Sequence, residues 1–343
     1  MRSHLVCLSC LLAFGSASAV AADDIFVASH KWYSDTDFHK AYSDKYGASP
    51  KLYENDDDQE TLKQALGGQK FDVAQICDGS LPEWLEAGIL EPWDTSRIDA
   101  FKDLDPRFLM FGSSGDLYLL PFEYGPILTV YKPDQVPVSA ATSLEVFRNP
   151  AYSGKIAIPK TVDDVMPLAL LAIGVTNFST ASIVQVDAAL EWLQEVHQND
   201  PYYYDDVDEL TRRMAVGDIF ISWTWPEVAQ YVTEMGQTVA MQNQVVDTVS
   251  VWTCGLVKFS NGNGDDDRVY DYVNSYFDEA AIKKLLSWSS LSPNLAVMQA
   301  QTVPEDLKSL VIPSGEGSVI KRSQVPIDVR QHFIDGFRNI LRS

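Results

Sequence analysis

The sequence predicts an α/β protein that is long enough for two domains. Short apolar runs alternate along the chain with amphipathic stretches, which is the pattern of strands and helices in alternation. Several of the apolar runs are continuous, as expected for strands that are covered on both faces of a sheet. The 343 residues, 46% of them hydrophobic, are enough for two cores of ordinary size and exclude disorder as the dominant state.

The first 21 residues predict a secretory signal peptide. Arg2 begins a short basic region, residues 5–14 form an apolar stretch too short to cross a bilayer, and Ala19 and Ala21 provide a small-residue cleavage site. Cleavage before Ala22 would leave an exported chain, which we expect in the periplasm.

The remaining elements follow from the hydrophobic pattern. Five apolar runs predict strands, at residues 25–28, 71–76, 155–158, 219–223 and 249–257. Apolar residues at spacings of three and four predict helices at 81–89, 183–196 and 329–341. Ser179 and Thr180 are candidate caps of the second of these helices. The Asn-, Gly- and Asp-rich segment 261–267 predicts a surface loop, and residues 56–58 predict a turn rather than a calcium loop.

The net charge of the chain restricts the classes of molecule that it can bind. With 48 acidic and 26 basic residues, the formal net charge is −22, so the surface repels phosphate backbones and attracts cations. Nucleic acid is therefore excluded as a partner. After cleavage two cysteines remain, Cys77 and Cys254, which form one disulfide or stay apart as buried thiols.

No catalytic motif is present in the sequence. It contains no G-x-S-x-G, H-E-x-x-H or Walker-type segment, and its histidines are not spaced as metal ligands. We therefore expect no metal, no cofactor and no enzymatic activity. The alternative is an exported acidic hydrolase that uses two of the many carboxylates.

The positions of the aromatic side chains indicate a candidate ligand site. Trp223 and Trp225 follow one apolar run, Trp252 lies inside another, and Trp32 follows the first. Residues beyond the carboxyl ends of strands in open α/β sheets line the ligand crevice. Tryptophans from three strands would form a box that binds alkylammonium groups through the ring faces, unless these side chains fill the core. Four other tryptophans, in or beside predicted helices, are expected in the core: Trp84, Trp93, Trp192 and Trp288.

Six segments resemble, in order and spacing, the spermidine/putrescine-binding proteins of bacterial ABC transporters. They are residues 53–62, 71–94, 120–126, 142–156, 217–223 and 292–294. The resemblance implies a type II-like periplasmic binding protein, with two α/β lobes joined by crossover strands and a ligand cleft between them. It implies residues 22–126 plus 253–300 for the first lobe, and 127–252 plus 301–343 for the second.

The resemblance also implies a set of ligand-binding positions. Trp32, Trp223 and Trp252 match the ligand-stacking tryptophans of the family, Asp163 with Asp164 beside it matches an acidic pair, and Cys77 matches a ligand-contacting serine. We add four residues placed near the same strand ends: Tyr33, Asp78, Tyr124 and Trp225.

Two departures from the family pattern affect the expected ligand. Cys254 stands where the family has an acid, and Ser290 stands near the position of a tyrosine. Because a buried ammonium needs a counter-charge, polyamine specificity does not transfer directly. A ligand with one cationic head is at least as well supported.

We therefore expect a monomeric, non-enzymatic receptor that delivers a small organic cation or zwitterion to the membrane permease of an ABC transporter. The candidate ligands are a polyamine, a quaternary ammonium compound or a betaine-like amine. A further alternative keeps this fold but binds an amino acid, an anion or a metal. The resemblance puts Cys77 and Cys254 in the same lobe without deciding whether they are bonded.

Overall fold

The computed structural model describes residues 24–243, 248–300 and 318–343, so the predicted signal peptide lies outside the described residues. Strands of the first sheet follow in the spatial order β2 (Lys51–Glu54), β1 (Phe26–Ser29), β3 (Val73–Cys77), β12 (Thr248–Phe259), β6 (Leu117–Pro126) and β5 (Met110–Phe111), with β4 (Leu90–Glu91) and β13 (Ser318–Lys321) paired to β12. The second sheet has the order β11 (Ala240–Gln242), β7 (Leu128–Tyr131), β10 (Ile221–Thr224), β8 (Ile156–Pro159) and β9 (Tyr202–Tyr204).

Helices cover both sheets. In chain order they are α1 (Lys40–Tyr46), α2 (Asp58–Leu66), α3 (Leu81–Glu86), α4 (Val138–Ala141), α5 (Val162–Ala172), α6 (Ile183–His197), α7 (Val207–Val216), α8 (Pro226–Glu234), α9 (Asp266–Ser275), α10 (Glu279–Ser287), α11 (Leu295–Ala300) and α12 (Ile327–Ile340). We call the first sheet with its helices lobe 1 and the second sheet with its helices lobe 2. The predicted two-lobed α/β fold is confirmed, and all five predicted strands are present as β1, β3, β8, β10 and β12.

Two crossings between the lobes are clear from the strand order. Only Ile127 separates β6 in lobe 1 from β7 in lobe 2. At the C-terminus, β13 pairs in parallel with the first half of β12, and a 3₁₀ helix (Arg322–Gln324) leads from it to α12 in lobe 2. Because β12 is continuous through residues 252 and 253, the domain boundaries derived from the resemblance stay a prediction.

The predicted helix at 183–196 is α6, but its cap differs from the expected one. Ser182, rather than Ser179 or Thr180, precedes the helix and forms a reciprocal capping box with Gln185. This arrangement satisfies two backbone N–H groups that the first turn leaves free. Further along, α6 packs against α12. The two helices lie so close together that a Cβ on Gly336 of α12 would be 2.2 Å from a methyl carbon of Leu190 on α6.

The cysteine alternatives are resolved by the register of two neighbouring strands. Cys77 on β3 lies opposite Cys254 on β12, with Cα atoms 4.0 Å apart, and the two form a disulfide. The bond connects residues 177 positions apart in sequence, so it restricts the unfolded chain strongly. In the three described segments, no helix combines the length and apolar character needed to cross a bilayer.

Candidate functional site

The first group of predicted site residues lies where the carboxyl ends of β3 and β8 meet between the lobes. Asp163 and Asp164 are in the first turn of α5, and Gly79 lies in the turn after β3. A Cβ on Gly79 would lie 2.5 Å from the carboxyl carbon of Asp163. Lobe 2 therefore touches lobe 1 at this end of the cleft, and only a residue without a side chain fits there.

Arg322 occupies the space between the acids of this region. Its Nε donates to Asp78 Oδ1 at 3.0 Å and its Nη1 donates to Asp164 Oδ1 at 2.9 Å. The guanidinium thus joins an acid of lobe 1 to an acid of lobe 2. Burial would lower the pKa of Arg322, but the carboxylates of Asp78 and Asp164 hold it above the usual range.

A second arginine extends this arrangement. Arg330 on α12 donates through Nη1 to Glu83 Oε1 at 2.5 Å and through Nη2 to Asp163 Oδ1 at 2.9 Å. Glu83 belongs to α3 of lobe 1 and Asp163 to α5 of lobe 2. We call the four acids bonded to these two arginines the paired cluster: Asp78, Glu83, Asp163 and Asp164.

A second group of acids between the lobes has no such partners. Glu123 on β6 is 1% exposed, and its carboxylate accepts a hydrogen bond from the hydroxyl of Tyr33. Glu227 lies in the first turn of α8. Among the described residues, no lysine, arginine or histidine forms an ion pair with either carboxylate. We call Glu123 and Glu227 the unpaired carboxylates.

The titration of the unpaired carboxylates reflects this environment. Burial raises the pKa of Glu123 to about 7, although hydrogen bonds from Tyr33 and Ser290 and the charge of His30 oppose the shift. Burial also raises the pKa of Glu227 to about 7, and the negative charge of Glu123 adds to this effect. Each carboxylate therefore lacks the cation that would stabilise its ionised form.

Contacts between the lobes bring these two acids together. Gln230, one turn after Glu227 on α8, accepts a hydrogen bond of 2.5 Å from the hydroxyl of Ser289. The next residue of that segment, Ser290, bonds Glu123. The start of α8 therefore lies over the segment that contacts Glu123.

Aromatic rings surround the unpaired carboxylates on the lobe 1 side. Tyr33 is buried, and its ring lies 6.1 Å from that of Trp288. Trp32 is 64% exposed, and its ring meets Trp288 edge-on at 6.2 Å. Tyr124 follows Glu123 directly and stacks on Phe108 at 4.1 Å. Trp288, which was expected in the core, is half-buried and packs against the core of lobe 1 beside two predicted site residues.

Three tryptophans come from β10, the start of α8 and β12. Trp225 immediately precedes α8 and packs edge-on against Tyr204 at 6.0 Å. Trp252 lies over Gly125, where a Cβ would be 2.7 Å from its ring, and its buried Nε1 has no hydrogen-bond partner. Trp223 is only 2% exposed and donates from Nε1 to the backbone oxygen of Asp164 at 3.0 Å.

The predicted residues therefore do not form a single group. Trp32, Tyr33 and Trp225 lie on the side of the unpaired carboxylates, and Trp252 lies over Gly125 on the same crossover. Tyr124 points to the other face of β6 from Glu123, where it stacks on Phe108. At the paired cluster are Asp78 and Asp163, together with Cys77, whose Sγ is bonded to Cys254. Trp223 lies in the core of lobe 2 and bonds α5. The ligand-binding role of each of these residues stays a prediction.

Sequence reasoning missed both unpaired carboxylates, although each leaves a signal. Glu123 is the one charged residue in the run 117–126, and a charge in a buried strand needs a function or a partner. Glu227 follows Trp225 by two residues and opens a helix. Neither signal alone distinguishes a binding group from a structural one.

Known proteins support the fold and a broad functional class. The family description "bacterial extracellular solute-binding protein" matches residues 37–310. A putrescine/agmatine-binding protein of Pseudomonas aeruginosa is 28% identical over 143 residues, which is 38% of this chain and 39% of that protein. The matched segment thus spans less than half of that relative.

Two solved structures share the complete two-lobed fold. The spermidine/putrescine ABC transporter substrate-binding protein of Streptococcus pneumoniae has a TM-score of 0.74 and 17% identity, covering 93% of this chain and 98% of its own. The PBP MotA of A. tumefaciens B6, solved in complex with glucopine, has a TM-score of 0.72 and 16% identity, covering 93% and 99%. At these identities the likeness concerns the fold, which is that of solute-binding proteins of transporters. Because the family match includes most of the chain, this protein belongs to the bacterial extracellular solute-binding proteins.

Proposed function

We propose that this protein is the periplasmic substrate-binding component of an ABC transporter and that it captures a small organic cation or zwitterion between its lobes. The observation that carries the proposal is the pair of unpaired carboxylates. Glu123 comes from lobe 1 and Glu227 from lobe 2, and no basic side chain of the described residues forms an ion pair with either. An ammonium group of a ligand would supply the charge that a buried carboxylate requires.

The aromatic side chains support a carbon-rich cation rather than a metal ion. Trp32, Trp225, Trp252 and Tyr33 offer ring faces or edges on the side of the two carboxylates. Alkylammonium groups bind such surfaces through the ring quadrupole, and the benefit grows when water is excluded. The free Nε1 of Trp252 additionally offers a hydrogen-bond donor to a ligand oxygen, which favours a zwitterion among the cations.

The relatives support an organic amine as the ligand class. Their names include putrescine, agmatine and spermidine, all of which carry charged nitrogen. Export to the periplasm is supported by the predicted signal peptide and by the disulfide, because disulfides persist in oxidising compartments. Closure of the two lobes on the ligand would then create the form that a permease recognises.

A thermal-shift screen of the purified protein tests this proposal. The probes are putrescine, spermidine, choline, glycine betaine and a set of amino acids, with sodium chloride at matched ionic strength as the control. A ligand at 100 times its Kd adds about 2.7 kcal/mol of stability, which raises the melting temperature measurably. We expect a cation or zwitterion to give the largest shift. Stabilisation by anions alone, or turnover of a probe to product, would contradict the proposal.

A further inference from the structure

The paired cluster is formed by a C-terminal segment that reaches across both lobes. Arg322 immediately follows β13, which pairs with β12 of lobe 1, and Arg330 lies on α12, which packs in lobe 2. Together they bond two acids of lobe 1 and two acids of lobe 2. The bonds lie where the family resemblance places a ligand-binding acid.

We infer that Arg322 occupies the place of a ligand's second cationic group, and that it thereby restricts the site to ligands with a single cationic centre. This inference rests on the proposed function and adds the substrate class. In this arrangement the chain's own guanidinium bonds Asp78 and Asp164, and linear diamines and polyamines find no accessible acid at this end of the cleft.

Burial and hydrogen bonding exclude a ligand from these two acids. Asp78 is 0% exposed and Arg322 is 6% exposed. Asp78 Oδ1 also accepts from the backbone N–H of Thr253 at 3.2 Å, and Asp164 accepts from the hydroxyl of Thr161 at 2.5 Å. A ligand amine could reach these carboxylates only after displacing Arg322.

The other end of the cleft provides for one cationic centre. Glu123 and Glu227 lie close enough for the charge of one to raise the pKa of the other. Two buried carboxylates that share a site in this way hold about one proton between them near pH 7, and one cation then neutralises the remaining charge. A diamine that spans the cleft would need a second acid at its other end, and there Arg322 already occupies Asp78 and Asp164.

Arg330 also joins the two lobes, but the acids that it bonds are more exposed than those of Arg322. Its partners Glu83 and Asp163 are partly exposed, with side chains 29% and 25% accessible. Solvent can therefore compensate these acids when Arg330 is removed, whereas it cannot reach Asp78. Arg322 is accordingly the residue on which the selectivity depends.

The test compares the wild-type protein with Arg322→Gln by thermal shift, using choline, putrescine and spermidine as probes. We expect choline to stabilise the wild type and the two polyamines to have no effect beyond matched salt. Arg322→Gln should lower the melting temperature by about 5 °C or more, because it leaves two buried acids without a cation. Putrescine or spermidine should restore several degrees in the variant only. Arg338→Ala, which removes an exposed arginine bonded to Asp335, is the matched control and should show neither effect.

The outcomes separate this inference from the proposed function. Strong stabilisation of the wild type by putrescine or spermidine would overturn the inference and leave a cation receptor. A destabilised Arg322→Gln that no diamine restores would also overturn it, since Arg322 would then be purely structural. Restoration of the variant by putrescine, with no cation affecting the wild type, would overturn both the inference and the proposed function, because no ligand with a single cationic centre would then be bound. Where Arg322→Gln does not fold, Arg322→Lys keeps the charge and should still exclude diamines; polyamine binding by that variant would overturn the inference.

Discussion

Two groups of carboxylates lie between the lobes of this protein, and they differ in whether the chain provides their counter-charge. The acids of the paired cluster are bonded to Arg322 and Arg330 at 2.5–3.0 Å. Of the unpaired carboxylates, Glu123 is fully buried and accepts hydrogen bonds from the neutral Tyr33 and Ser290, and Glu227 is partly buried. Burial by itself therefore does not mark a binding acid. The two groups differ instead in whether a basic side chain of the described residues pairs with the acid.

The difference predicts opposite consequences for stability and binding. An acid with an internal partner contributes to the folded state, and its removal leaves a buried charge uncompensated. An acid without a partner opposes folding when it is ionised, and it recovers that free energy when a cation binds. The following substitutions compare the two groups directly.

The largest expected effect is on the paired cluster. Asp78→Asn should lower the free energy of unfolding by about 3 kcal/mol, because it removes a fully buried carboxylate from Arg322. Urea denaturation at pH 8 followed by circular dichroism measures this change. Asp335→Asn, in an exposed ion pair, is the control and should change stability by less than about 0.5 kcal/mol. Equal effects of the two substitutions would remove the distinction between the groups.

Glu123→Gln should have the opposite sign. The pKa of Glu123 in the folded state is about 7, so the carboxylate is mostly ionised at pH 8. The folded state then contains an unfavourable buried charge. Replacing it with a neutral amide of the same shape should raise the free energy of unfolding by about 2 kcal/mol at that pH. The same denaturation experiment measures the gain, with the exposed Glu86→Gln as control. A loss of stability would show that Glu123 is a structural acid.

The stability of the ligand-free protein should also depend on pH through the unpaired carboxylates. Because the folded-state pKa values of Glu123 and Glu227 are about 7, above the ordinary value for glutamate, the folded state binds more protons between about pH 4.5 and 7. The contribution of these groups to stability is therefore complete at low pH and is lost as the pH rises through 7. Affinity for a cation should run the other way and increase at least about tenfold from pH 5.5 to pH 8.

Calorimetric titrations at several pH values, in buffers with different ionisation enthalpies, measure this affinity and the accompanying proton release. The variant Glu123→Gln/Glu227→Gln should bind weakly with little dependence on pH. A wild-type affinity that is constant from pH 5.5 to 8 would indicate that the ligand does not bind at these carboxylates.

The smallest expected effect concerns the aromatic rings beside the unpaired carboxylates. Trp252→Ala should weaken cation binding by about 1 kcal/mol, or roughly fivefold, because it removes one ring face. Trp252→Phe keeps a ring and should retain most of the affinity. Calorimetry of both variants measures the difference. Equal loss in the two variants would point to the unpartnered Nε1 of Trp252 rather than to its ring.

Much of the fold could be predicted from local sequence. The five predicted strands exist because continuous apolar runs must be buried on both faces, and α6 and α12 follow the three-and-four spacing of their apolar residues. The cap of α6 was predicted wrongly, although Ser182 and Gln185 carry the spacing of a capping box. The family resemblance correctly gave the two-lobed architecture.

The charge pattern of the cleft could not be predicted in the same way. Arg322 is 244 residues from Asp78 and 158 from Asp164, so nothing local indicates that it neutralises them. Asp163 was expected to hold the ligand's charge, and its bond to Arg330 is visible only in three dimensions. Glu123 lies within an apolar strand, and its local sequence does not show whether a basic side chain pairs with it. Whether an acid is paired is a property of the complete fold.

The central claim is that the unpaired carboxylates, and not the paired cluster, hold the cation. Isothermal titration at pH 8 of the wild type, Glu123→Gln/Glu227→Gln and Asp163→Asn, with the cation that gives the largest thermal shift, tests it most directly. We predict a loss of at least about 100-fold in affinity for the double variant and a change of less than about threefold for Asp163→Asn. A large loss for Asp163→Asn with full binding by the double variant would contradict the claim.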